Sequence, residues 1–347
     1  VRAARDAREP LRIRAGGSKD FYGNTPRGQI LDPRPWSGIE AYEPSELVVT
    51  VRAGTPLAQL ERTLAEQGQM LAFEPPHFGA GATVGGCVAA GLAGPRRASV
   101  GYTQGGLRDF VLGARLLDGN ARLLRFGGTV MKNVAGYDVS RVLAGSLGLL
   151  GLIVDVSLKV LPLPRAEQTL CFALHADDAL EQLCAWRSRP LPLSASAWCD
   201  GVLSVRLSGA EPALAAARRQ LGGELVPAQM ADAYWLQLRE QQLSWFAGEL
   251  PLWRIALPAA AGQLPLGSTQ LIEWGGMLRW LRSAAPSQQI RDAAARLGGH
   301  ATLFRGGDRS QGVFAPLSPA LLGIHRRLKE EFDPAGIFNP DRLVQGL

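Results

Sequence analysis

Apolar residues change period several times along the chain, and each change predicts an element. Residues 11–15 and 47–52 read as short strands. Leu57, Leu60 and Leu64 then recur at helical spacing, with Thr55 as the cap, Pro56 at the first helical position and Gly68 as the stop. Residues 83–91 hold few side chains larger than valine and predict a helix that packs close to a ligand. A hairpin is expected from 110–117 and 121–125 about Asp118-Gly119-Asn120. Asp138 is placed to cap a helix over 139–144. Val154, Val156, Leu158 and Val160 alternate with Asp155, Ser157 and Lys159, the pattern of a half-buried strand. Pro162-Leu163-Pro164 then punctuates the chain and marks a domain boundary.

The second part reads as two rounds of one pattern. Strand 168–174, helix 177–187, strands 195–199 and 202–208, helix 211–221 and strand 224–226 give β-α-β-β-α-β. A looser round follows: strand 252–257, a helical turn near 259–264, strands 270–274 and 277–282, helix 287–297 and strand 301–305. These are expected to be two ferredoxin-like units sharing one antiparallel sheet. A last helix covers 319–331, opened by Ser318-Pro319, with Leu321, Ile324, Leu328 and Phe332 on one face.

Composition narrows the class. A length of 347 residues suits two domains, and 46% hydrophobic with 20% charged residues is ordinary for a globular chain. No apolar run reaches the roughly 20 residues that span a bilayer. The start, VRAARDAREPLRIRAGG, has no apolar core of a signal peptide and no initiator Met, so part of a first helix is expected to be missing. Cys87, Cys171, Cys184 and Cys199 show no Cys-x-x-Cys spacing, which argues for buried thiols rather than a zinc or iron–sulfur site, and no metal is expected. Net charge is +6, but the basic residues are scattered, so no nucleic-acid partner is expected.

The candidate chemistry lies in two Gly-rich turns. Gly16-Gly17-Ser18-Lys19-Asp20 and Gly81-Ala82-Thr83-Val84-Gly85-Gly86 can each present successive N–H groups to an anion, and two such turns can grip one diphosphate. A nicotinamide-type Gly-x-Gly-x-x-Gly is not completed at Gly79-Ala80-Gly81, and no Gly-Lys-Ser/Thr P-loop occurs.

These turns, with Gly136-Tyr137-Asp138, the run Gly145-Ser146-Leu147-Gly148-Leu149-Leu150-Gly151-Leu152-Ile153 and the closing Asp333-Pro334-Ala335-Gly336-Ile337-Phe338-Asn339-Pro340, resemble the vanillyl-alcohol oxidase / p-cresol methylhydroxylase (PCMH) flavoprotein family. The resemblance implies an α+β protein. It has a PCMH-type two-subdomain FAD-binding domain (1–164), a smaller antiparallel-sheet cap domain of ferredoxin-like units (165–317), and a helix and tail (318–347) returning to the FAD domain. It further implies FAD contacts at Gly16, Gly17, Ser18, Lys19, Asp20, Pro75, Gly81, Ala82, Thr83, Val84, Gly85, Gly86, Gly91, Gly94, Gly136, Tyr137, Gly145, Ser146, Gly148, Gly151 and Ile153.

Within that family, Glu74-Pro75-Pro76-His77-Phe78, the run 91–97 and the run 125–138 are similar to the smaller FAD-binding subunits of bacterial glycolate oxidases. The resemblance implies an FAD-dependent oxidoreductase subunit of glyoxylate metabolism. Its partners would be a larger FAD-binding subunit and an iron–sulfur subunit, with a small 2-hydroxy acid as substrate of the complex. The place expected is the cytoplasm, peripheral to the inner membrane through that complex. Lys132 is a candidate to stabilise charge on the reduced ring, or a surface lysine. Arg96 and Arg97 are candidates to face the substrate, the diphosphate or a partner. The four histidines, His77, His175, His300 and His325, lack paired spacing, so the catalytic base of the larger subunit is expected to be missing here. The first loop holds neither His nor Cys, and Cys87 and His77 are not placed for attachment, so the FAD is expected to be non-covalent. A self-sufficient dehydrogenase for a D-lactate-like 2-hydroxy acid and a flavin-free scaffold remain open alternatives.

Overall fold

The computed structural model describes residues 1–99, 105–129, 138–267 and 269–347. The chain divides into two compact units. Unit 1 comprises Val1–Ala93, Gly106–Leu163 and Arg309–Leu347; unit 2 comprises Gly94–Gly105 and Pro164–Asp308.

Unit 1 opens with helix α1 (Arg2–Ala7) and the parallel pair β1 (Leu11–Ile13) and β2 (Gln29–Leu31). Strands β3 (Ile39–Glu43) and β4 (Val48–Arg52), helix α2 (Leu57–Glu66), β5 (Gln69–Met70) and helix α3 (Val84–Ala90) follow. Then come β6 (Val111–Leu117), β7 (Leu123–Gly127), β8 (Leu152–Lys159) and β9 (Leu161–Pro162). Its main sheet runs β3-β4-β8-β6-β7 and is antiparallel throughout. Val49, Val51, Val156, Leu158 and Leu116 lie on one face and are essentially inaccessible, as are Leu57, Leu60 and Leu64 of α2. Each such buried leucine contributes roughly 1.5–3 kcal/mol.

Three local expectations shift. Thr55 does not cap α2: its Oγ1 accepts the Gly38 N–H and donates to the Gly38 carbonyl, and Pro56 takes the N-cap position. β8 is not half-buried, because Asp155 and Ser157 are buried as well. Arg115 lies over Asp155 as an ion pair and reaches Glu40 at 2.7 Å, while Ser157 meets Thr50 at 2.8 Å. The helix expected over 139–144 is a 3-10 turn, Ser140–Leu143, whose cap position is Val139. Asp138 instead accepts the Ser140 hydroxyl at 2.9 Å.

Unit 2 is built on one eight-stranded sheet. Its elements are β10 (Ala166–Ala173), α4 (Ala176–Arg187), β11 (Leu193–Cys199), β12 (Val202–Gly209), α5 (Glu211–Leu221), β13 (Glu224–Val226), α6 (Ala228–Arg239), β14 (Leu252–Ala256), β15 (Gln270–Glu273), β16 (Leu278–Arg282), α7 (Ser287–Arg296) and β17 (His300–Arg305). The order β13-β10-β12-β11-β15-β16-β14-β17 is two ferredoxin-like arrangements back to back. They join where β11 pairs β15, Ala197 opposite Glu273 and Trp198 opposite Ile272. The first core gathers Leu170, Leu183, Trp186, Leu203, Val205, Leu207 and Leu214.

The second round differs from the expected one. Near 259–264 only one turn forms, the Ala261 N–H meeting the Pro258 carbonyl at 3.0 Å, because Pro258, Gly262 and Pro265 interrupt the run. A helix absent from the sequence reading, α6, stands before β14 and buries Ala231, Trp235 and Leu238.

The chain then returns to unit 1 and ends with helix α8 (Pro319–Phe332). Residues 309–317, which the sequence reading placed in the cap, belong to unit 1. Arg309 donates to the carbonyls of Phe21 and Gly23, and the Val313 N–H meets Asn24 Oδ1 at 2.9 Å. On α8 the apolar stripe seats only at its end: Phe332 is buried, whereas Leu321 and Ile324 are about half exposed. Among the described residues, no helix is long and apolar enough to cross a membrane.

Candidate functional site

The two Gly-rich turns meet in unit 1. A Cβ on Gly16 would stand 1.8 Å from the Gly81 carbonyl oxygen, so the two backbones touch and only glycine fits. Gly16, Gly17, Ser18, Lys19, Asp20, Gly81, Thr83, Gly85 and Gly86 all line one cleft. Among the described residues, no acceptor meets the backbone N–H of Gly16, Gly17 or Ser18. The turn is held from outside: Arg14 Nε and Arg12 Nη2 bind Asp20 Oδ2 at 2.6 and 2.8 Å. Lys19 Nζ donates to the His77 carbonyl at 3.1 Å, and Phe21 packs edge-on against Phe78.

Helix α3 forms the next wall. Thr83 caps it, its Oγ1 accepting the Gly86 N–H at 3.3 Å, and Ala89 and Ala90 present small side chains to the cleft. Gly85 has another task than the anion nest expected from sequence. Its N–H donates to the Ala53 carbonyl at 2.8 Å, and an added Cβ would lie 2.6 Å from Ala53 Cβ. Gly85 therefore lets α3 pack against the end of β4, and its amide is already satisfied. Ala82 and Val84 serve the same junction: Leu57 N–H meets the Ala82 carbonyl and Val84 N–H the Thr55 carbonyl, each at 2.9 Å.

The third wall comes from Leu147, Gly148, Gly151, Leu152 and Ile153, with Asn339 and Arg342 from the tail. Asn339 joins three segments. Its Oδ1 accepts the Ile13 N–H at 2.8 Å, its Nδ2 donates to the Leu147 carbonyl at 2.6 Å, and its N–H meets the Leu11 carbonyl at 2.8 Å. Arg342 is buried and donates to the carbonyls of Asp20, Tyr22 and Asn24, so it fixes the loop that carries the first turn. Burial lowers its pKa to about 10, which leaves it charged at neutral pH.

Several expected contacts lie elsewhere. Pro75 is buried and off the cleft. Gly91 and Gly145 meet backbone to backbone, an added Cβ on Gly91 falling 2.8 Å from Gly145 Cα. Ser146 closes a turn by donating to the Leu143 carbonyl at 2.9 Å. Gly94 belongs to unit 2, where its carbonyl accepts Trp274 Nε1–H at 2.9 Å. Lys132, Gly136 and Tyr137 lie outside the described residues. The cleft residues that sequence reasoning missed are chiefly Arg14, Ala53, Ala89 and Arg342; Arg14 precedes the first turn and Arg342 follows the closing motif, so position was the available signal.

The catalytic candidates in unit 2 are engaged. Buried Arg96 binds Glu167 at 2.5 Å and Ser208 at 3.2 Å, which consumes its fork in a structural pin. Arg97 stacks on Trp274, 4.5 Å from the ring centre. Among the described residues, no group of three or more His, Cys, Asp or Glu is gathered to hold a metal ion. His77 Nε2 faces Glu61 at 2.8 Å, and Cys87 is buried away from the cleft lining.

The fit of an FAD diphosphate rests on the turn with unmet N–H groups, the small-residue wall of α3 and the buried cation Arg342. Gly16, Gly17 and Ser18 would hold its oxygens, with Arg342 behind them.

Comparison with known proteins bears on the cofactor and the family. Residues 1–127 match a family model described as an FAD binding domain. The chain is 49% identical over 347 residues to glycolate oxidase subunit GlcE of Escherichia coli (strain K12), covering 100% of this chain and 96% of that protein. It is 29% identical over 177 residues to glycolate oxidase subunit GlcD of Bacillus subtilis (strain 168), covering 50% of this chain and 37% of that protein. A solved alkyldihydroxyacetonephosphate synthase shares the fold: TM-score 0.67 at 17% identity, over 98% of this chain and 74% of that one.

Proposed function

The chain belongs to the family of glycolate oxidase subunit GlcE, and from that premise we propose that it serves a complex oxidising glycolate to glyoxylate. It is an FAD-dependent oxidoreductase subunit, and its cofactor is FAD. The observation that carries the proposal is the cleft between two touching glycine turns, backed by Arg342.

When bound, the flavin supplies an acceptor for the hydride of a 2-hydroxy acid. The chain's own contribution is to bind and orient it. The N–H groups of Gly16, Gly17 and Ser18 and the charge of Arg342 stabilise the diphosphate, while Ala89, Ala90 and Ile153 exclude water from the apolar walls. The flavin is held without a covalent bond. Cys87 is buried with its thiol pushed up to about 12, and His77 is engaged with Glu61.

The proposed partners are a larger FAD-binding subunit, which brings the base for the hydroxyl proton, and an iron–sulfur subunit that takes the electrons onward. This chain's flavin then acts as relay or structural partner, on the cytoplasmic side and peripheral to the membrane through the complex. The first test is acid precipitation of the purified yellow protein. FAD is expected in the supernatant; colour remaining with the pellet would overturn non-covalent binding, and a colourless, flavin-free protein would leave a scaffold.

A further inference from the structure

The second ferredoxin-like half of unit 2 departs from the first at one crossing. Helix α4 links β10 to β11, but residues 257–269 pass from β14 to β15 without a helix among those described. In that half, β16 carries Arg279, opposite Ile272 on β15 and Ile255 on β14. Arg279 is 0% exposed.

Its hydrogen bonds are incomplete. Nε donates to the Gly276 carbonyl at 2.8 Å and Nη2 to the Ala261 carbonyl at 3.1 Å, on the helix-free crossing. Nη1 is buried and meets no acceptor among the described residues. No carboxylate pairs with Arg279 among the described residues. Two other buried cations have one: Arg96 meets Glu167 at 2.5 Å and Lys329 meets Asp333 at 2.6 Å, while Arg342 has three carbonyls where Arg279 has two. Gln270 shares the Arg279 face of the sheet, two residues before Ile272, and its Oε1 is also buried without a donor among the described residues.

A guanidinium keeps its proton inside proteins, so burial does not remove this charge. Two neutral carbonyls leave it without a counter-charge, and an uncompensated buried cation is strongly unfavourable. Burial lowers the Arg279 pKa only to about 10, still well above neutral.

We propose that Arg279, beneath the 257–269 crossing, is a binding site for a small monoanion of carboxylate or halide chemistry. The anion completes the Nη1 hydrogen bonds and supplies the missing negative charge. Gln270 Oε1 offers an acceptor that a hydroxyl beside a carboxylate can use and a halide cannot. The site belongs to unit 2.

The test is thermal melting of the full FAD-loaded chain at constant ionic strength, with chloride, formate or glycolate replacing a bulky sulfonate. A saturable rise is expected, reaching about a hundredfold in the folding constant at a hundred times Kd. Arg279→Gln should lose that response; whatever glycolate response survives in the variant belongs to the flavin cleft. Mutual competition of chloride and formate marks a general monoanion site. A glycolate advantage that disappears in Gln270→Leu marks a hydroxy-carboxylate. Equal responses to sulfonate and to the small anions, or an unchanged response in Arg279→Gln, overturn the proposal and leave Arg279 as a pin for two carbonyls. Should Arg279→Gln fail to fold, bromide-soaked wild-type crystals decide: an anomalous peak within hydrogen-bond reach of Nη1 supports the site, and its absence rejects it.

Discussion

Gly16 has room for a hydrogen and nothing larger. Its ideal Cβ would sit 1.8 Å from a backbone oxygen that cannot swing away as a side chain can. Gly16→Ala is expected to part the two turns, costing about 1–3 kcal/mol in FAD binding, or roughly 5- to 150-fold in Kd. Flavin fluorescence during titration of the apoprotein measures this; unchanged affinity would mean that the turns do not jointly hold FAD. Cys87 illustrates a second residue-scale effect. Burial lifts its thiol from the ordinary 9.0 to about 12. The unfolded chain releases that proton from about pH 9 while the folded chain keeps it, so stability falls as pH rises between those values. The loss approaches about 1.4 kcal/mol per pH unit for this one group. Urea unfolding at pH 8, 9 and 10 should show a shallower alkaline decline for Cys87→Ala; parallel declines would contradict it. Gly16 was legible from its motif, but the packing role of Gly85 was not, because which amides are already bonded depends on Ala53, distant in sequence.

Among the elements, α8 and the turn after it do most to frame the cleft. Lys329 and Asp333, one helical turn apart, are both buried; Lys329 Nζ also donates to the carbonyls of Leu149 and Phe338, each at 2.8 Å. Asp333 accepts the N–H groups of Ile337 and Phe338 at 3.2 and 2.7 Å, which sets the path toward Asn339 and Arg342. Asp333→Asn leaves a buried ammonium without its counter-charge and is expected to destabilise by about 3–5 kcal/mol, with loss of bound FAD. Denaturant unfolding with flavin release as a second signal measures it; a shift below 1 kcal/mol would show that the brace is dispensable. Local pattern failed at two elements for opposite reasons. Ala231, Trp235 and Leu238 carry the period of α6, which follows the short strand β13 after a single proline and leaves little local signal for its start. Near 259–264 the expected helical turn is cut to one hydrogen bond, from the Ala261 N–H to the Pro258 carbonyl at 3.0 Å, because two prolines and Gly262 flank it.

At the scale of the molecule, the lining of the flavin cleft bears on turnover. Its one carboxylate among the described residues, Asp20, is engaged by Arg12 and Arg14 at 2.8 and 2.6 Å. A positioned base is typically worth ~10²–10⁴ in rate. The isolated FAD-loaded chain is therefore expected to be reduced by glycolate slowly or not at all, with turnover appearing when the larger FAD subunit and the iron–sulfur subunit are added. Stopped-flow absorbance is the check; flavin bleaching within milliseconds by the chain alone would favour a self-sufficient dehydrogenase. By itself the sequence determined the repeated β-α-β-β-α-β pattern, because glycine, proline and apolar spacing act through near neighbours, and its resemblance to a flavoprotein family implied the fold class and the cofactor. Tertiary structure alone decided that Gly16 touches Gly81, that Arg342 anchors the first turn, that Arg96 is spent on Glu167 and that Arg279 is buried with no carboxylate partner among the described residues. Those facts depend on which distant segments the fold brings within a hydrogen bond of one another, and no local spacing encodes that distance.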